Sequence, residues 1–346
     1  MPTIKEVAHR ARVSVGTVSN VISGSVPVSK RLKDRVLEVI KQLDYHPDHV
    51  ARSLKIRQTR TIGLVISDMT DPFFPQVMRG AEDAAWGANY ILITLNSDDQ
   101  PEREQQGLDA LRSRRVDGIL LAGAMSADPA RIRAIQSSGT PIVCLDREIA
   151  GAGVDCVVVN NFHGAQQCTL HLAGNGHRQI AFLDSGVLDS DLALSPASER
   201  LAGYRQGLQD AGLAHDQSLE ITAGSRPEDA LYAVRKLLAT CPRPFAAIAG
   251  SIRLGVALLR GIRETGLRCP QDVALAIFDD PVFSEAVDPP LTAIAQPAYE
   301  LGRKGVELLL RRMQEPQCPP TKLVLETTLR IRESTAALLA PVAHAV

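Results

Sequence analysis

The apolar positions of this chain follow two regimes. Up to Tyr45 they recur at helical spacing. Ile4, Val7 and Ala8 predict a first helix ending near Ala11, with Thr3-Ile4-Lys5-Glu6 as a capping box at its start. A tight turn at Arg12-Val13 leads to a second helix, Val15 to Ser23, capped by Ser14 and carrying Val18, Val21 and Ile22 on one face. Ser29 is placed to cap a third, from Lys30 to about Leu43, striped by Leu32, Val36, Val39, Ile40 and Leu43. Helix, short turn, helix is the helix-turn-helix arrangement. Tyr45-His46-Pro47 then breaks the chain. Residues 48–55 read as a two-turn hinge helix, too short to be stable without a partner.

From Thr61 the pattern becomes short apolar runs alternating with amphipathic stretches. The runs at 61–66, 90–95, 118–122 and 141–145 predict buried strands. A second series is expected to begin near Cys156-Val157-Val158-Val159 and to continue through strands at 179–184, 219–222, 245–249 and 273–278. This alternation predicts two α/β lobes, each a parallel sheet with helices on both faces. The expected division is a head at 1–45, a hinge and linker at 46–59, and a core at 60–346. Within the core, the first lobe takes about 60–160 and 293–320, the second about 161–290 and 321–340.

Charge sharpens the picture. The whole chain of 346 residues has a net charge of −1, but residues 1–60 hold twelve Lys/Arg against five Asp/Glu. That makes residues 1–60 +7 and leaves −8 on the rest, the signature of a basic nucleic-acid-binding module on an acidic body. The outer face of the second helix carries Gly16, Thr17, Ser19 and Asn20, small or polar residues that let a phosphate strand approach the helix N-terminus. The N-terminus has no apolar leader and no stretch is apolar for the length a bilayer requires, so a cytoplasmic location is expected. The six cysteines form no C-x-x-C pair and the histidines no metal-binding cluster, so reduced, mostly buried thiols, no metal and no cofactor are expected.

Ligands of open α/β sheets bind beyond the carboxyl ends of the strands. The residues there are Ser67 to Phe74, Asp146-Arg147, Ser185 to Arg200, Gly250-Ser251, Asp279-Asp280 and Gln296. Two lobes would close these loops around one small molecule.

Several strings, in register, resemble the lactose-repressor family of bacterial transcription regulators. They are T-I-K-E-V-A at 3–8, V-S-V-G-T-V-S-N-V-I at 13–22, V-A-R-S-L-K at 50–55, D-P-F-F at 71–74, R-V-D-G-I-L at 115–120, R-L-A-G-Y at 200–204, F-D-D at 278–280 and R-E-S-T at 332–335. The resemblance implies a helix-turn-helix head, a hinge helix and a two-lobed core similar to periplasmic sugar-binding proteins. It implies base-edge contacts by Val15, Gly16 and Asn20, and phosphate contacts by Thr3, Ser14, Thr17, Ser19 and Ser29. Leu54, flanked by Ala51 and Lys55, corresponds to a wedge that enters a minor-groove step. In the core it implies an effector cleft with Phe73 and Phe74 as an apolar face, Arg147 and Arg200 as fork-like donors, and Asp71, Asp146, Ser251, Asp279 and Gln296 as polar neighbours. The expected partners are duplex operator DNA, a small-molecule effector and a second copy of the chain.

The chain departs from that pattern in places. Asn20 stands where many relatives carry Arg, Asp71 where Asn is common, and Gly250-Ser251 where Asn-Asp is usual. Two arginines and the lost acid at 251 predict a cationic cleft and an effector with a negative group, such as a sugar acid or sugar phosphate. A transport binding protein fits the core but not the basic head. An α/β enzyme is disfavoured by the lack of a phosphate-binding Gly-rich loop and of a G-x-S-x-G elbow. The residues after Ala336 show no heptad series, so a dimer rather than a coiled-coil tetramer is expected. The implied function is a ligand-switched transcription regulator, most often a repressor.

Overall fold

The structure is a computed structural model; it describes residues 2–23, 26–45, 58–122, 128–185, 195–224 and 226–337. The chain divides into two compact units, Met1–Thr59 and Arg60–Val346.

The first unit contains α1 (Ile4–Arg10), α2 (Val15–Ser23) and α3 (Lys30–Gln42). Thr3 Oγ1 accepts the Glu6 amide at 3.3 Å, but the Glu6 carboxylate turns to Arg10 at 3.8 Å, so only half of the expected capping box forms. Ser14 Oγ accepts the Thr17 amide at 3.1 Å and starts α2 as expected. Ser29 stands at the N-cap of α3 as expected, but makes no side-chain cap hydrogen bond. Val7, Ala8, Ala11, Val18, Val21, Val36 and Val39 form the small core, and Tyr45 joins it rather than merely ending the helix.

The second unit holds two six-stranded sheets. The first sheet is built from β1 (Thr61–Ile66), β2 (Ile91–Asn96), β3 (Gly118–Leu121), β4 (Ile142–Leu145), β5 (Asp155–Val159) and β11 (Lys322–Leu325), in the order β11-β5-β4-β3-β1-β2. Its helices are α4 (Phe73–Gly87), α5 (Pro101–Ser113), α6 (Pro129–Ser137) and α11 (Ala298–Gln314). The second sheet uses β6 (Ile180–Ser185), β7 (Glu220–Ala223), β8 (Phe245–Ala249), β9 (Val273–Phe278), β10 (Thr292–Ala295) and β12 (Thr328–Arg330), ordered β12-β10-β9-β8-β6-β7. With it go α7 (Asn161–Gly174), α8 (Pro196–Asp210), α9 (Pro227–Thr240) and α10 (Ile252–Thr265). Every pairing is parallel except β10 with β12. The central strands are buried on both faces, which is why they read as unbroken apolar runs.

Strand membership shifts two expected boundaries. β5 closes the first sheet, within the expected first lobe, although the second run of strands was expected to begin there. β10 belongs to the second sheet and β11 to the first, so the chain crosses between lobes after Ala295 and after Leu325, not near 290 and 320.

Candidate functional site

Two groups of candidate residues emerge, one in each unit. In the head, Val18 and Val21 are buried while Val15 is 41% exposed, so α2 buries one face and presents the other. That outer face carries Val15, Gly16 and Ser19, with Thr17 and Asn20 half-buried beside them. Ser14 Oγ lies 2.9 Å from Thr17 Oγ1, which pairs these two hydroxyls at the helix start. Thr3 and Ser29 are exposed near the starts of α1 and α3. Ala51, Leu54 and Lys55 lie outside the described residues.

In the core, polar side chains gather beyond the carboxyl ends of both sheets. Arg200, near the start of α8, is held from several sides. Its Nε donates to Asn161 Oδ1 at 2.8 Å and its Nη1 to the Gly250 carbonyl oxygen, and its guanidinium lies 4.3 Å from the centre of the Phe278 ring. Asp184, at the end of β6 and only 2% exposed, has its carboxylate 3.9 Å from Nη1.

Three carboxyls from three loops share the field of that guanidinium. Asp71 precedes α4 and accepts the Phe73 amide at 3.0 Å; Asp146 follows β4; Asp279 follows β9. Burial raises the pKa of each, and Arg200 partly offsets the rise in all three. Asp279 is pushed up to about 7, burial being the largest cause. Asp146 and Asp279 both take positive φ, 65° and 67°, a conformation Asp tolerates better than most residues. Among the described residues, Asp146 Oδ1 and Gln296 Oε1 are buried oxygens with no hydrogen-bond partner. Buried polar atoms of that kind call for a ligand or a water.

The remaining candidates divide. Gln296 donates from Nε2 to Asp279 at 2.8 Å. Arg147 faces Asp99 at 3.4 Å and Asp146 at 3.9 Å. Phe73 and Phe74 meet edge to face at 5.2 Å, and both pack in the core of the first lobe. Of the two, only Phe73 lines the cavity of about 160 Å³ that also borders Pro72, Ile252, Asp279, Gln296 and Arg330. Ser251 Oγ accepts the Leu254 amide at 3.4 Å and caps α10, so its hydroxyl is occupied by the fold. The cleft holds acids beside its arginines: Asp71, Asp146 and Asp279 lie in the field of Arg200, and Asp184 stands 3.9 Å from it. Asn161, Asp184 and the Gly250 carbonyl were not foreseen. No helix among the described residues is long and apolar enough to cross a membrane.

Comparison with known proteins places these features. Residues 3–48 match "Bacterial regulatory proteins, lacI family" and residues 169–335 match "Periplasmic binding protein-like domain". The chain is similar to the ribose operon repressor of Haemophilus influenzae, 36% identical over 98% of this chain and 100% of the relative. Among solved structures, it resembles the lac repressor dimer bound to operator and the anti-inducer ONPF. There the TM-score is 0.84 at 25% identity, covering 97% of this chain and 99% of the other. A lacI-family regulator from Enterococcus faecium with bound ribose gives a TM-score of 0.70 at 29% identity, covering 81% of this chain and 100% of the other.

Proposed function

The chain belongs to the lacI family of bacterial regulatory proteins, and from that premise we propose a transcriptional repressor switched by a small uncharged sugar. It acts as a homodimer in the cytoplasm. Each head, residues 1–45, lays α2 in the major groove of one half of a near-palindromic operator. Val15, Gly16 and Asn20 meet base edges there, while Thr3, Ser14, Thr17, Ser19 and Ser29 meet phosphates. Residues 46–59 form the hinge, with Leu54 as a minor-groove wedge beside Ala51 and Lys55.

The observation that carries the effector reading is the meeting of Asp71 and Asp146 of the first lobe with Arg200 and Asp279 of the second in one buried field. A sugar bridging those groups through its hydroxyls has different contacts in open and closed lobes, which is what coupling to the operator requires. Gln296 and Arg147 add polar contacts at the edges, and Phe73 offers an apolar face to the ring. A crowd of carboxylates disfavours a sugar acid or phosphate. D-Ribose is the first probe, because a relative is named a ribose operon repressor and a family member binds ribose.

The test begins with selection of bound duplexes from random DNA. The best site is then titrated with D-ribose, D-ribonate and D-ribose 5-phosphate. Release by D-ribose alone is expected; release only by the anionic forms contradicts the uncharged effector.

A further inference from the structure

Gly250 follows β8 at the carboxyl edge of the second sheet, and its φ is not in the left-handed region, so the backbone does not demand glycine. Space does. A Cβ at this position would overlap Asp184 Oδ2 and Cγ and lie 2.9 Å from Oδ1. The strands fix that relationship. Leu183 of β6 pairs in register with Ala249 of β8, and the Gly250 amide donates to the Leu183 carbonyl oxygen at 2.7 Å. The Asp184 carboxylate therefore lies over Gly250, in the space a side chain at 250 would take.

The same two residues frame Arg200. Gly250 gives its carbonyl oxygen to Nη1, and Asp184 stands 3.9 Å from that nitrogen. Asn161 holds Nε and Phe278 supports the guanidinium plane. Among the described residues, Nη2 makes no hydrogen bond, so it is the donor left for a ligand.

On the reading that the cleft binds a sugar, we infer that Asp184 is a specificity-determining positioning residue of the effector site. It fixes Arg200 from the floor of the second lobe and replaces a side chain at position 250 with a carboxylate from the neighbouring strand. The resulting carboxylate and guanidinium suit a vicinal diol, one hydroxyl donating to an acid of the cleft and its neighbour accepting from Nη2. The ligand class is an uncharged sugar with adjacent free hydroxyls.

The experiment is calorimetric titration of the full-length dimer with D-ribose, 2-deoxy-D-ribose and 3-deoxy-D-ribose. The two deoxy forms together break every vicinal hydroxyl pair on the ring carbons. Wild-type protein should prefer D-ribose over at least one of them by roughly tenfold or more. Asp184→Asn keeps the shape but removes the charge that orients Arg200. It should reduce that preference to about threefold or less. An unchanged preference overturns the inference, since a purely structural role would lower stability without altering the ratio.

A second pair of variants guards against a failure to fold. Gly250→Asn alone should abolish D-ribose binding, and adding Asp184→Gly should restore it by making room. Gly250→Asn binding as tightly as wild type would refute the steric relationship. Wild-type protein that binds none of the three sugars would instead remove the sugar reading itself.

Discussion

Gln296, on the crossover from β10 to α11, donates its amide Nε2 to Oδ1 of Asp279, on the loop after β9, at 2.8 Å. The contact joins a strand that leaves the second lobe to the buried acid of the cleft. Asp279 titrates near neutrality because burial outweighs the help of Arg200, and Asp71 and Asp146 add to the rise. Its folded pKa, about 7, lies above the roughly 3.9 of an unfolded Asp. The folded state therefore binds more protons between about pH 4 and 7, and stability falls as pH rises through that window. Above it the full cost remains. Asp279→Asn should accordingly raise the melting temperature at pH 8 and help less at pH 5, by an amount on the order of a few kcal/mol at most. It should weaken D-ribose binding at both. Thermal melts across this range check the first part; a variant less stable than wild type at pH 8 contradicts it.

Arg312 and Asp155 form a second buried relationship, with a different consequence. Arg312 Nε and Nη2 bind the two carboxylate oxygens at 2.6 and 2.9 Å, and the residues are 8% and 1% exposed. Asp155 Oδ1 also accepts the Thr321 amide at 2.7 Å, so the pair ties α11 to β5 and to the start of β11. Asp155→Ala leaves a buried guanidinium without its partner and should cost about 3–5 kcal/mol in urea unfolding. Replacing both residues, with Asp155→Leu and Arg312→Met, should recover much of that loss. A double variant as unstable as Asp155→Ala would mean that the ion pair, not its desolvation, carries the stability.

These cases show what a linear reading captures. The spacing of Val18, Val21 and Ile22 identifies α2, and Ser14 marks its start, because both signals are local. The apolar runs reveal the strands but not their sheets: β5 and β10 lie beside β4 and β9 but also pair with the distant β11 and β12, and a short run of Val, Ala or Leu carries no label for which lobe it joins. Arg200 and Asp279 are legible because they sit where a strand or helix meets a loop. Asp184 is hidden within Ile-Ala-Phe-Leu-Asp-Ser, and Gly250 reads as a missing side chain when it is space taken by a neighbour. Phe74 matches a motif and Ser251 stands at a motif position, yet the core takes one and a helix cap takes the other.

Glycines offer a test of how closely the first lobe is packed. A Cβ on Gly302 of α11 would overlap the Val77 carbonyl oxygen of α4 and lie 2.8 Å from the Ala81 amide nitrogen. Backbone cannot yield as a flexible side chain can. Gly302→Ala should therefore destabilise the fold by about 1–3 kcal/mol or more. Gly87, at the end of α4, has nothing within 4 Å of the same atom, so Gly87→Ala should be neutral or slightly stabilising. Chemical denaturation of the two variants compares them directly. Equal effects would show that helix propensity, not the approach of the two helices, sets the cost.

Asn20 tests whether α2 reads sequence. The residue is half-buried on the face shared with Val15, and an Asn side chain can bind adenine N6 and N7 together. Asn20→Ala should cost about 1–3 kcal/mol on the selected operator and relax base preference at one position in each half-site. A symmetric dimer makes those two positions dyad-related, so the change must appear twice. Being uncharged, Asn20 should leave the salt dependence of binding as it was. Ser14→Ala gives the contrast, because it removes the bond to the Thr17 amide and should destabilise the helix start by about 1 kcal/mol. Its loss of a phosphate contact should weaken all duplexes alike. Repeating the random-DNA selection with each variant separates the two roles. An Asn20→Ala protein that selects the wild-type consensus, with both half-sites intact, would assign base reading to other residues of the helix.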